Sequence, residues 1–106
     1  MRDPVVVYPP GQRSLFAREW QRALRSENKS KNTIFVYLHA VRLLDEWGVG
    51  PLEVQAAHIR AFIAELIERT SPGNAHTNYR SLRTFFRWLE DEEEIARSLM
   101  ARTKAP

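Results

Sequence analysis

The sequence predicts an all-α fold, a compact bundle of four to five helices, on three observations. From Ser14 onward the apolar residues recur at spacings of three and four, and no window keeps the two-residue alternation of a half-buried strand. Capping residues and chain breakers punctuate that pattern at Ser30, between Gly48 and Pro51, and at Ser71-Pro72-Gly73. The 106 residues, 43% hydrophobic and 27% charged, suffice for one core and exclude a multidomain enzyme.

Residues 1–13 hold Pro4, Pro9, Pro10 and Gly11 and read as an extended or disordered N-terminal arm, in which Val5 to Tyr8 is the part able to dock. The first helix is expected to start with Ser14 as N-cap. It carries Leu15, Phe16, Trp20 and Leu24 inward and Arg18, Arg22 and Arg25 on another face, and it fades by Ser26-Glu27-Asn28. A second helix begins at the capping residue Ser30 and runs through Ile34, Tyr37, Leu38, Val41, Leu44 and Trp47 until Gly48 and Gly50-Pro51 stop it. Leu52 and Val54 lie in the connector to a third helix, whose Ile59, Phe62, Ile63, Leu66 and Ile67 form a continuous core stripe.

Ser71 then suits an N-cap and Pro72 the first helical position, where no N–H is needed, so a fourth helix follows to about Leu89. Ile95, Leu99 and Met100 suggest a short fifth helix. Residues 14–101 thus form the helical domain, and 102–106 read as the start of a linker to a further domain. Offset by 41 positions, the second and fourth helices pair Ser30 with Ser71, Val41 with Leu82, Arg42 with Arg83, Leu44 with Phe85 and Trp47 with Trp88. This is a weak sign of a duplicated hairpin.

The net charge of +3 hides an uneven distribution. Five of the acids sit together from Glu90 to Glu94, so residues 1–89 carry thirteen basic and eight acidic side chains. Without cysteine there is no disulfide, zinc–thiolate site or cysteine nucleophile, which suits a reducing cytoplasm. The N-terminus is too short and too proline-broken for a signal peptide, and no apolar run approaches a membrane span. A soluble cytoplasmic protein is expected.

In the fourth helix Tyr79, Leu82, Phe85, Phe86 and Leu89 share one side, whereas His76, Arg80, Arg83, Thr84 and Arg87 share another. Like charges at these spacings repel by a few tenths of a kcal/mol per pair, so the row costs helix stability unless an anion offsets it. A phosphate backbone is the natural anion. At the start of the second helix, Lys29, Ser30, Lys31 and Thr33 surround a helix N-terminus whose free N–H groups and dipole favour a phosphate oxygen.

These residues carry a resemblance. Ser30-Lys31-Asn32-Thr33-Ile34 with Tyr37, then Leu44 and Trp47, resembles the S-x-x-T-x-x-x-Y opening of the core-binding domain of tyrosine recombinases and phage integrases. Ser71-Pro72-Gly73-Asn74 and Leu82-Arg83-Thr84-Phe85-Phe86-Arg87-Trp88-Leu89 resemble the family's S-P-x-T and L-R-x-F-F-x-W-L patterns. Residues 99–106 resemble its exit linker. Asn74 stands where the family usually has Thr, and Ser98-Leu99 where Asn-Pro is common. The resemblance implies a SAM-like bundle that forms half of a clamp around duplex DNA, the other half being a separate catalytic domain. The family's chemistry needs an Arg, Lys and His constellation around a tyrosine nucleophile, and no such array fits this chain, so it is expected not to cut DNA alone.

Tyr37 and Tyr79 fall in the inward register of their helices and read as core. His39, His58 and His76 lack ligand spacing, and consecutive acids at 90–94 point around a helix axis, so neither a metal nor a cofactor is expected. The sequence therefore reads as a non-catalytic DNA-binding domain for site-specific recombination and integration. Its expected partners are double-stranded DNA and other recombinase protomers, with a monomer in isolation and no membrane. The contacts expected are Lys29, Ser30, Lys31, Thr33, Ser71, Asn74, His76, Arg80, Arg83, Thr84 and Arg87. Arg83 and Arg87 could read guanine edges if the fourth helix enters the major groove. The rival reading is a helical protein-interaction module with a basic docking face. A transcriptional helix-turn-helix ranks third, because the basic helix follows a longer segment with Pro72.

Overall fold

The computed structural model describes residues 6–7, 12–47, 53–94, 98, 100–101 and 103–106. Among the described residues four helices form: α1 (Gln12–Ser26), α2 (Lys31–Glu46), α3 (Ala56–Arg69) and α4 (Pro72–Asp91). Helix α4 is the central element, packed against both α2 and α3, and α1 packs on α2. The fold class is all-α, as the periodicity predicts.

Helix α1 starts at Gln12, so Ser14 lies inside its first turn and is not the N-cap. Gln12 and Arg13 are good helix formers, and the helix nucleates as soon as Pro9-Pro10-Gly11 ends. Its C-terminus is a left-handed cap. Asn28 takes φ 59°, Lys29 N–H donates to the Leu24 carbonyl (3.1 Å), and Asn28 N–H donates to that of Arg25 (3.0 Å). Asparagine tolerates this conformation, so the chain turns at once into Ser30.

Ser30 caps α2 as expected, its Oγ accepting from Thr33 N–H at 3.1 Å, and Ser71 caps α4 the same way through Asn74 N–H at 3.1 Å. Pro72 occupies the first turn of α4. In α3, Gln55 N–H donates to His58 Nδ1 (3.0 Å), which gives that histidine a capping role. Helix α4 runs two residues past Leu89 and ends in a second left-handed cap. Glu93 has φ 60°, and Glu94 N–H reaches the Leu89 carbonyl at 2.9 Å.

One element departs from the expectation of no strands. Val6–Val7 (β1) pairs antiparallel with Glu53–Val54 (β2), Val6 opposite Val54. Two residues per strand are too few to leave an alternating pattern, and this small ladder leaves the fold class unchanged.

The core centres on Trp20, 1% exposed. Its indole stacks on Tyr37 of α2 (5.3 Å, 4°) and tilts against Phe85 (5.1 Å) and Trp88 (6.5 Å) of α4, so one side chain ties α1 to both partners. Val41, Leu44, Ile59, Phe62, Leu82, Phe86 and Leu89 are among the residues buried around it. Trp47 packs edge-on against Phe62 (5.7 Å) and donates its indole N–H to Glu65.

Ile67 is a correction: it is 38% exposed and outside the core. At 3.6 residues per turn it lies about 80° round from Ile59, past the buried arc, in the last turn of α3. For the fifth helix, Ile95 and Leu99 lie outside the described residues. Met100 is buried at a turn. The segment beyond it is anchored on α4, because Tyr79 Oη donates to the Thr103 carbonyl at 2.6 Å.

Candidate nucleic-acid interface

The polar side of α4 is built by its period. Ala75, Tyr79, Leu82, Phe86 and Leu89 are buried, while His76, Arg80, Arg83 and Arg87 are exposed and Thr84 is half-buried. Thr84 Oγ1 donates back to the Arg80 carbonyl at 2.9 Å, as Thr77 does to Gly73 at 3.1 Å. The buried polar residues on this helix are satisfied in the same way, Ser81 by the Thr77 carbonyl and Asn78 by that of Asn74 (2.9 Å each).

The ion pairs described fall elsewhere. Arg42 meets Glu46 at 3.6 Å and Arg69 meets Glu65 at 3.0 Å. Among the described residues no carboxylate pairs with Lys29, Lys31, Arg80, Arg83 or Arg87. Glu65 is the contrast: the Trp47 indole N–H, then Arg69, hold its carboxyl below the ordinary glutamate value. The acids at 92–94 are exposed at the end of α4, and Glu90 is taken up locally, accepting from Ser98 N–H at 2.9 Å.

Two groups of expected site residues emerge. At the start of α2, Ser30 Oγ donates to Thr33 Oγ1 (2.9 Å) while accepting from the Thr33 N–H, so the Ser30 hydroxyl is committed to the cap, and Thr33 Oγ1 serves there as an acceptor. The first N–H groups of α2 are left without intrahelical partners. Lys29 and Lys31 flank that terminus and line a groove of about 600 Å³ between α1 and α2. The second group follows α4: the Ser71 cap, Asn74, whose Nδ2 donates to Thr70 Oγ1 (3.0 Å), then His76 and the arginine row. No residue of α4 lines the α1–α2 groove.

Sequence reasoning missed part of that groove. Arg25, Phe35, His39 and Arg42 line it with Gln21, Ile34 and Leu38. Phe35 is 67% exposed, its ring stacked on His39 (5.8 Å, 5°). The signal available was an aromatic one helical turn from Lys31 on the outer stripe of α2; the groove itself exists only once α1 lies beside α2.

Tyr79 is buried and its hydroxyl engaged, and Tyr37 is stacked on Trp20. Among the described residues no three His, Asp or Glu side chains converge to hold a metal, and no helix is long and apolar enough to cross a membrane.

Fold and surface together define a small helical bundle with clustered exposed cations along α4 and around the start of α2. Residues 16–95 match the family described as phage integrase, N-terminal SAM-like domain, and the chain belongs to that family. Comparison with curated proteins gives no match. Among solved structures, a crystal structure of a lambda integrase (75–356) dimer bound to a COC′ core site is similar. Its TM-score is 0.73 at 18% identity, covering 87% of this chain and 34% of that one. A second lambda integrase dimer bound to a COC′ core site gives a TM-score of 0.74 at 18% identity, covering 97% and 29%. The likeness is one of fold, and this chain spans about a third of those chains.

Proposed function

We propose that this chain is the DNA-gripping domain of a site-specific tyrosine recombinase, holding one recombination half-site while a separate catalytic domain performs strand exchange. The observation that carries the reading is the exposed row Arg80, Arg83 and Arg87, three like charges within two turns with no carboxylate partner among the described residues. Such a row is unfavourable in the free helix and becomes favourable on a polyanion.

In this reading Lys29, Lys31, Arg80, Arg83 and Arg87 contact phosphates, with His76 adding a contact when protonated. Ser30, Thr33, Ser71 and Asn74 hold the two helix N-termini in a geometry that offers N–H groups to phosphate oxygens, and Thr84 lies beside the row. Arg83 and Arg87 are the candidates for guanine edges. The domain works in the cytoplasm as a monomer that meets other protomers on DNA. It uses neither metal nor cofactor, and it does not break DNA itself.

The test is binding to duplex DNA at low salt by the wild type, Arg83→Ala and Arg22→Ala. Arg22 is exposed on α1 and is not among the residues that line the α1–α2 groove. The reading requires measurable binding that Arg83→Ala weakens more than Arg22→Ala. No binding to any duplex, together with a stable complex with an acidic protein, would favour a helical protein-interaction module instead.

A further inference from the structure

We infer that Phe35, projecting from the cation-rimmed groove between α1 and α2, is a base-reading residue that packs on thymine methyl groups in the major groove of duplex DNA. The inference rests on the DNA-binding reading and adds a specificity element that α4 does not supply.

A single exposed phenylalanine needs no explanation; its surroundings here do. Phe35 lies opposite the buried side of α2, where Ile34, Ala40, Val41 and Leu44 face the core. Beside it Ile34 and Leu38 form an apolar floor, and Arg25, Lys29, Lys31 and Arg42 stand around the groove, Arg42 also paired with Glu46 one turn further on, with no acid among the lining residues. An apolar ring inside a positive rim matches a ligand that is anionic at its edges and apolar at one point. Duplex DNA seen from the major groove has that pattern: phosphates on both banks, and the thymine C5-methyl as the apolar group among the base edges.

The dimensions agree. Lys31 and Arg42 are eleven residues apart on one helix, about 16 Å along its axis, enough to reach both banks of a groove about 12 Å wide. The N-terminus of α2, with its unpartnered N–H groups, opens at the same end as Lys29 and Lys31. An acidic peptide would satisfy the rim as well, but its carboxylates and apolar side chains have no regular spacing, whereas duplex DNA sets phosphates on both banks of a groove with the thymine methyl between them. The stack on His39 holds the ring in place before binding, which lowers the entropy lost on contact.

The experiment selects preferred sites from a random-sequence duplex pool with wild type and with Phe35→Ala. Each thymine of the wild-type site is then replaced by deoxyuridine, which deletes the methyl group alone. Burial of one methyl-sized group corresponds to about a fourfold change in affinity. The expected result is a site with at least one thymine whose replacement weakens wild-type binding about fourfold, while Phe35→Ala binds the thymine and uracil duplexes equally. Phe35 is exposed, so the variant should keep the wild-type melting curve. A wild type that selects no thymine, or a variant that discriminates as wild type does, overturns the inference and leaves DNA binding standing. Absence of wild-type binding to any duplex overturns both.

Discussion

Replacing Arg83 with alanine should stabilise the free domain while weakening its hold on DNA. Arg83 is three residues after Arg80 and four before Arg87, exposed, with no carboxylate partner among the described residues. Each like-charge pair at these spacings costs about 0.2–0.5 kcal/mol, so removing two of them returns about 0.4–1 kcal/mol. Alanine adds a slightly better helix propensity. For a domain of this size that is a rise in Tm of about 2–8 °C. Thermal melts followed by tryptophan fluorescence measure it at low salt and again at 1 M salt. There the screening length falls to about 3 Å and most of the gain should vanish. Destabilisation by Arg83→Ala, or a gain indifferent to salt, would show that the arginine packs for stability and that the row carries no folding cost for a ligand to offset.

Three further outcomes test the fold. Trp20→Ala should cost about 3–5 kcal/mol, much of the stability of such a domain, because the buried indole packs α1 against Tyr37, Phe85 and Trp88 at once; a urea-melt loss below about 1 kcal/mol would contradict that. Glu93→Gly should stabilise by about 0.5–1 kcal/mol, since a left-handed glutamate costs about 1–2 kcal/mol and glycine loses part of that gain as unfolded-state entropy. The depressed Glu65 carboxyl contributes stability that is complete above its ordinary value of 4.5 and is lost as pH falls through the lower folded value, because the unfolded chain then binds more protons. Glu65→Gln should therefore be less stable than wild type at neutral pH, and the difference should shrink in acid melts below that value.

The elements legible in the sequence are those whose signals are local. Ser30 and Ser71 cap helices because a hydroxyl three residues before a free N–H has one good use there, and the division of α4 into buried aromatics and exposed arginines follows from its period. The aligned positions of α2 and α4 share exposure as well as type: Val41 and Leu82 are buried, as are Leu44 and Phe85, whereas Arg42 and Arg83 are exposed. What escaped depends on distant partners. The Val6–Val54 pairing joins segments 48 residues apart through two residues each. The fate of Ile67 turns on where α3 ends against its neighbours, and the groove that frames Phe35 needs two helices side by side. In the candidate site, charge was readable and its setting was not. The Ser30 hydroxyl is spent on the cap and on Thr33, so its contribution is to shape the helix terminus.

The most direct test of the central claim is the salt dependence of duplex binding. If Lys29, Lys31, Arg80, Arg83 and Arg87 each displace a counterion, the slope of log K against log salt should be about −4 to −5, and Arg83→Ala should reduce it by about one unit. A slope near zero, or one that none of the five alanine substitutions changes, would contradict the claim that these faces grip a phosphate backbone.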